Sequence, residues 1–349
     1  MNLTNFRTLG RSGLVVSPLS LGTMTFGKER WGSDEDVSEA VFNAYVDAGG
    51  NFIDTAEAYA GGRSEEMLAR FIEKRGLRDK TVLATKFSFS AEDGNPNAAG
   101  NGRKNMVRAL EGSLKRLGTD YIDLYWMHIW DSVTPVEEVL QSLGDLQRRG
   151  KIRYFGLSDV PAWYAVKMST LASAHTVPGP IALQMEYSLA AREIEREHLP
   201  AARECDLAML PWSPLAGGFL AGKYERGTAG ATGEGRLSGA NPFGDTKFTD
   251  RNWRILDVLK SVAAEMGRPP AQVALAWAVA QPGITSTIIG ASRPEQLSDN
   301  LASLNIQFTP AQREALDRSS ALEPSFYDYL KSGILTQIVF GTAVQGWRS

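Results

Sequence analysis

Two hydrophobic periods alternate along the chain. Short apolar runs of strand length occur at Leu19–Thr23, Asn51–Thr55, Thr81–Phe87, Tyr121–His128, Ile152–Ser158, Ile181–Tyr187, Ala208–Ser213 and Ser286–Ala291. Between and after them, apolar residues recur every three or four positions. These stretches predict helices over Asp34–Asp47, Ser64–Arg75, Arg103–Leu117, Pro135–Arg149, Pro161–Ala172, Arg192–Cys205, Ala271–Ala280 and Pro294–Leu304. Val37, Val41 and Tyr45 form one apolar stripe; Val136, Val139, Leu143 and Leu146 form another. Ser33 with Asp36 and Thr134 with Glu137 read as capping pairs. Gly49, Gly118 and Gly150 stand where a left-handed residue closes a helix.

Strand–helix alternation calls for a parallel sheet, and eight such units in 349 residues suit a (β/α)8 TIM barrel. A doubly wound open sheet is the competing architecture. It usually carries a glycine fingerprint after its first strand, and "LGTMTFG" does not match that fingerprint. The expected organisation is a single domain over residues 1–349. It has an N-terminal hairpin at 5–17 (within it "FRTLGRSGLVV"), a barrel at 18–304, and a C-terminal helix and tail at 305–349. Asp250–Met266 reads as an extra helix after the seventh strand, and Pro310–Ser320 as the C-terminal one. The loops Ser90–Gly102 and Gly227–Thr249 lack periodicity, and loops that long in a compact domain are usually functional or disordered.

Composition narrows the function classes. The chain is 43% hydrophobic and 22% charged with a net charge of −3, and the two signs are mixed throughout. No basic block points to nucleic acid and no lysine-rich amphipathic segment to a membrane surface. The first residues lack a secretory pattern and no apolar run is long enough to span a bilayer, so the expected setting is cytoplasmic. Cys205 is the single cysteine, which excludes an internal disulfide framework and a cysteine-based metal centre. His128, His175 and His198 lie on separate elements without ligand spacing, and no metal is expected.

The candidate chemistry sits at the ends of the strands, where barrel enzymes place it. Asp54 closes "FIDTA", Lys86 "LATKF", His128 "LYWMH", Ser158 and Asp159 "GLSD", Gln184 lies in "LQMEYS", Trp212 and Ser213 in "PWSP", and Ser292 in "IIGAS". A lysine and a histidine at the ends of apolar strands are costly unless paired or solvated. Each alone has a structural reading as a cap, a rim residue or a satisfied core histidine. Their convergence at one barrel mouth points to an active site.

The ordered segments "NFIDTAEAY", "LATKF", "YIDLYWMH", "GLSD" and "IIGASRPEQLSDN" resemble the aldo-keto reductases, over nearly the whole chain. The resemblance is to the branch with bacterial general reductases, aryl-alcohol dehydrogenases and potassium-channel β subunits. It implies a (β/α)8 barrel closed below by a hairpin, and NADPH-dependent reduction of a small-molecule aldehyde or ketone. The family's tetrad falls on Asp54, Tyr59, Lys86 and His128. Tyr59 is then the proton donor. A free phenol has a pKa of about 10, and the charge of Lys86, held by Asp54, is expected to lower it. The implied cofactor residues are Gly22, Thr23 and Met24; Ser158 and Gln184 for the carboxamide; and Trp212 for stacking on nicotinamide. Ser213, Pro214, Leu215, Gly217, Gly218, Leu220 and Lys223 follow for the pyrophosphate. Gly290, Ser292, Arg293, Gln296 and Asn300 complete the set, with Arg293 on the 2′-phosphate.

Two positions depart from the family pattern. Asp159 stands where asparagine is usual, and Gly290 where many relatives have lysine. Phe26, Trp31, Phe87 and Trp130 are expected to wall an apolar substrate pocket suited to an aromatic or alicyclic carbonyl, with ordinary core packing as the alternative for each. Phe326, Tyr327 and Tyr329 either complete that pocket or pack on the barrel. Cys205 reads as helix packing. Two other functions stay open: a cofactor-binding regulatory subunit of a channel, and a barrel aldolase with Lys86 as a Schiff-base amine. Either a monomer or a homo-oligomer fits.

Overall fold

A computed structural model describes residues 1–227, 230–232, 236–237, 244–330, 335, 338–339 and 341. Parts of the predicted Gly227–Thr249 loop and of the C-terminal tail therefore lie outside the described residues.

Eight parallel strands form the barrel: β1 (Leu19–Gly22), β2 (Phe52–Asp54), β3 (Val82–Phe87), β4 (Ile122–Met127), β5 (Ile152–Ser158), β6 (Ala182–Glu186), β7 (Ala208–Trp212) and β8 (Thr287–Gly290). Neighbours pair in sequence order, and β8 pairs back onto β1 with Thr287 opposite Leu19 and Gly290 opposite Gly22. The remaining seam is joined just before β8, where the Thr285 amide donates to the Met209 carbonyl at 2.9 Å.

The helices are α1 (Glu35–Asp47), α2 (Arg63–Arg75), α3 (Arg103–Leu117), α4 (Val136–Arg148), α5 (Ala162–Ala174) and α6 (His198–Glu204). Then come α7 (Asp250–Glu265), α8 (Pro270–Val279), α9 (Pro294–Ala302) and α10 (Pro310–Ser320). The stripe predicted on α4 is the buried one: Val136, Val139, Leu143 and Leu146 all lie in the core. On α1, Tyr45 joins the helix to the barrel, its hydroxyl 2.8 Å from the Leu19 carbonyl and accepting from the Phe52 amide at 3.2 Å. Gly50 is needed beside it, because a Cβ there would meet the Tyr45 ring at 2.3 Å.

Three local readings are corrected. Asp34, not Ser33, caps α1, accepting from the Val37 amide, while Ser33 pairs with Ser38. Thr134 does not cap α4; its hydroxyl donates to Asp131, and Pro135 takes the cap position. The predicted helix over Arg192–Cys205 is broken into a short turn at Glu193–Glu195 and α6. Pro200 explains the break, since proline has no amide to donate and fits only the first turn of a helix.

Strand alternation separates two layers. Leu21, Ile53, Leu83, Tyr125 and Met127 face the helices. Phe52, Val82, Ala84, Leu124, Trp126, Ala182, Ala208 and Leu210 fill the barrel, with Leu9 and Val16 packed beneath them. Leu9 follows the first strand of the predicted hairpin and Val16 ends its second; in it Arg7–Thr8 pairs antiparallel with Val15–Val16 and plugs the barrel floor. Side chains alternate with period two. The next inward positions above this apolar plug are therefore Asp54, Lys86, Ser158, Gln184 and Trp212, with His128 continuing the inward row of β4. The polar residues reach one mouth because β2 to β7 each carry a further inward position above the plug.

Candidate active site

Lys86 is fully buried at the end of β3, and Asp54 is nearly so at the end of β2. They form an ion pair. The Lys86 ammonium also donates to the Thr55 carbonyl at 2.9 Å and to the Tyr59 hydroxyl at 3.2 Å. Gln184 donates through Nε2 to the other Asp54 oxygen at 3.0 Å. Both charges of the buried pair thus have further hydrogen-bond partners, the condition under which a buried ion pair is tolerated.

Tyr59 is set by a strained turn. Ala60, Gly61 and Gly62 all have positive φ, and a Cβ on Gly62 would meet Arg116 at 2.7 Å. Arg116 is itself fixed by a 2.6 Å bond to the fully buried Glu65. Below Tyr59, the Glu57 amide donates to the Lys86 carbonyl at 3.2 Å, and Arg108 holds the Glu57 carboxylate at 3.1 Å. The His128 ring lies edge-on to Tyr59, with centroids 5.9 Å apart. The four tetrad candidates are therefore brought together.

Their ionisation differs from the expectation in one respect. Burial raises the Tyr59 phenol above its ordinary value, and the pull of Lys86 in the opposite direction does not overcome it. Burial pulls the Lys86 ammonium down, but Asp54 and Tyr59 outweigh it and the net shift is upward. His128 is held well below its ordinary range, first by burial and then by Lys86. The site at neutral pH is a charged Asp54–Lys86 pair beside a protonated phenol and a neutral imidazole.

The cofactor candidates fall into three groups. Ser158 is buried and its Oγ has no hydrogen-bond partner among the described residues; Gln184 keeps its carbonyl oxygen for a further contact; and Trp212 is partly exposed, its indole N–H donating to Asp159 at 3.0 Å. A second group is engaged within the protein. Thr23 donates to the Asp54 carbonyl and contacts Ser64, positioning β2. Ser213 accepts from the Gly217 amide, which braces a turn where Ser213, Ala216, Gly217 and Gly218 have positive φ, with Pro214 and Leu220 buried within it. Gln296 accepts from both the amide and the hydroxyl of Ser292, and Asn300 donates to the Gly290 carbonyl. The third group opens outward: Gly290, Lys223 and Arg293 are exposed, Arg293 at the start of α9, while Gly22 is buried and Met24 and Leu215 are partly so.

The substrate wall changes composition. Phe26 and Phe87 are fully buried in the helix-facing layer, against Phe71 and Tyr125 respectively, and leave the candidate wall. Lys86 points into the barrel, so Phe87 must point out of it. Beyond the strand, Ser88 takes a φ of 125° and the chain turns Phe89 onto the His128 ring, with centroids 4.4 Å apart. Trp130 stays near the mouth and meets the exposed Trp163 edge-on at 5.9 Å. Trp31 lies under Arg236, whose guanidinium is 5.4 Å from its ring. Arg236 also lines a small cavity with Trp212, Ser213, Gly217 and the Glu186–Lys247 ion pair. Phe89, Trp163 and Arg236 were not singled out in the sequence. The first was hidden by the turn at Ser88, the second by a helical position with ordinary spacing, and the third by a loop without period. Phe326 and Tyr329 are exposed and stack on each other, and the side chain of Tyr327 lies outside what is described. Among the described residues, no group of His, Cys, Asp or Glu is arranged to hold a metal ion.

Comparison with known proteins places this geometry among relatives. The family model described as "Aldo/keto reductase family" matches residues 18–321. A probable voltage-gated potassium channel subunit beta of Oryza sativa subsp. japonica is 36% identical over 324 residues, covering 92% of this chain and 97% of that protein. The uncharacterized oxidoreductase YrpG of Bacillus subtilis (strain 168) is 38% identical over 308 residues, covering 85% and 90%. Norsolorinic acid reductase stcV of Emericella nidulans is 36% identical over 307 residues, covering 85% and 76%.

Proposed function

The chain belongs to the aldo/keto reductase family, and on that premise we propose that it reduces an aldehyde or ketone reversibly to the alcohol with NADPH, Tyr59 being the proton donor. The observation that carries this reading is the continuous contact Asp54–Lys86–Tyr59, opening beside His128 at the barrel mouth. The mouth also fits a nicotinamide cofactor by its own chemistry. The unpartnered Ser158 hydroxyl and the Gln184 carbonyl oxygen suit a carboxamide, and the face of Trp212 suits an aromatic ring.

When bound, the cofactor supplies hydride. The protein's own part is to hold the carbonyl oxygen between the Tyr59 hydroxyl and the His128 imidazole and to deliver a proton there. Lys86, oriented by Asp54, is a positive charge behind the phenol that stabilises it as the proton leaves. Lys86 itself is fully buried, hydrogen-bonded three ways and biased toward its protonated form. A protonated amine has no lone pair for a Schiff base, which argues against the aldolase. Phe89, Trp130, Trp163 and Trp31 favour an aromatic or alicyclic carbonyl over a phosphorylated one. The carbonyl-dependent oxidation of NADPH, followed by absorbance over a panel of aldehydes and ketones, tests the reading. No turnover across the panel would remove it.

The name of the rice relative motivates a second reading, the cofactor-binding regulatory subunit of a channel. It predicts co-purification with a membrane channel and slow or absent turnover.

Cofactor choice provides a separate prediction. Arg293 is exposed at the start of α9, where helix amides favour any phosphate but do not distinguish NADPH from NADH. A guanidinium holds the additional 2′-phosphate through charge-assisted hydrogen bonds worth about 1.5–3 kcal/mol. Arg293→Ala is therefore expected to weaken NADPH binding by roughly 10- to 150-fold and NADH binding little. Titration of both nucleotides decides this, and equal losses would mean a general binding defect.

A further inference from the structure

We propose that the Asp159 carboxylate makes the barrel mouth bind the oxidised, cationic form of the nicotinamide cofactor more tightly than the reduced, neutral form. The inference rests on the cofactor reading above and adds to it a reason for an acid at this position.

Asp159 follows β5 in a left-handed conformation with a φ of 46°. Three other strands supply its contacts, β6 within the strand and β4 and β7 at or beyond their ends. Its amide donates to the Gln184 carbonyl at 3.2 Å, its carbonyl accepts from the Trp130 amide at 3.3 Å, and its Oδ1 accepts from the Trp212 indole at 3.0 Å. The carboxylate is therefore fixed against the indole proposed to carry the nicotinamide ring, next to the unpartnered hydroxyl of Ser158. An ionised carboxylate only accepts hydrogen bonds. An asparagine at the same place would both donate and accept, and it would carry no charge.

The surrounding charges leave this one effective. Lys86 on β3 is paired with Asp54, and Glu186 on β6 is paired with Lys247 at 2.5 Å. The Tyr59 phenol is raised by burial and the His128 imidazole lowered by burial, so both are neutral at neutral pH. Among the described residues at the mouth, Asp159, against Trp212, is left without an ion pair, and Arg236 lies over Trp31. A positive ring at Trp212 meets the acid; a neutral ring gains nothing from it. The same charge favours hydride departure toward the carbonyl, the reducing direction.

Burial raises Asp159 to about 6, with the Trp212 indole N–H pulling down, Glu186 pushing up and Lys86 pulling down. The preference for the oxidised form should thus be present above that pH and fade as pH falls through it. The 2′-phosphate of the cofactor is common to both forms, so its own titration cancels in the ratio of their affinities.

The test is calorimetric titration of NADP+ and NADPH against wild type and Asp159→Asn, at about pH 5 and about pH 8. At the higher pH, the substitution is expected to shift the affinity ratio toward NADPH by roughly tenfold. The wild-type ratio should move the same way on acidification, while that of the variant stays constant. If the variant binds both forms with the wild-type ratio, the inference is overturned. If Asp159→Asn does not fold, the wild-type pH series decides alone, and a ratio independent of pH overturns it. If wild type binds neither nucleotide, the cofactor reading itself falls, and the inference with it.

Discussion

Replacing Tyr59 by phenylalanine is expected to lower carbonyl reduction by about 10²–10⁴-fold while leaving NADPH affinity nearly unchanged. The ring survives the substitution, and with it the packing of the turn and the edge contact with His128 at 5.9 Å. Only the hydroxyl that accepts from Lys86 at 3.2 Å is lost. His128 cannot take over the role, since burial and Lys86 hold it neutral and a neutral imidazole is a poor acid. The pH dependence has a definite sign. Burial raises the phenol above its ordinary value of 10, so it is loaded with its proton throughout the neutral range and reduction should vary little there. Alcohol oxidation needs the phenol as a base, and its rate should keep rising as the solution becomes alkaline. Single-turnover rates in both directions check this. Near-normal reduction by Tyr59→Phe, with hydride transfer rate-limiting, would remove Tyr59 from the role.

The second large effect combines activity with stability. Lys86→Met removes one partner of a wholly buried ion pair and leaves the Asp54 carboxylate facing Gln184 alone. Breaking such a pair from one side costs about 3–5 kcal/mol, a large share of a marginal stability of about 5–15 kcal/mol. Replacing both partners removes the uncompensated charge, so Lys86→Met with Asp54→Asn should regain most of the loss in urea unfolding. Activity should not return in the double variant, because the positive charge behind the phenol is still missing. A single variant as stable as wild type would contradict the account of the pair; an active double variant would contradict the role of Lys86.

Much of this arrangement was legible in the chain. All eight strands and most helices follow from apolar period, because most strand positions are buried on both faces and helices such as α3 and α4 carry one buried stripe. Asp54, Lys86 and His128 could be placed at one mouth because the inward positions below them are apolar and fill the barrel. What the sequence hid depends on backbone turns and on competition between partners. The positive φ of Ser88 exchanges Phe87 for Phe89 at the mouth. The cap of α1 shifted by one residue because Asp34 competes with Ser33. The expected lowering of the Tyr59 phenol failed because burial opposes Lys86 and exceeds it. The bond between Asp159 and Trp212 joins residues on different strands, and no local pattern announces it.

Direct hydride transfer to a carbonyl held at Tyr59 is the step on which the proposed activity stands. The most direct measurement uses NADPH deuterated at the transferable position of its nicotinamide C4, an aromatic aldehyde, and mass spectrometry of the alcohol formed. With wild type the alcohol should carry one deuterium on the carbinol carbon, and with Tyr59→Phe the labelled product should be lost. Oxidation of the cofactor without deuterium in the alcohol, or labelled alcohol formed equally well by the variant, would contradict that step.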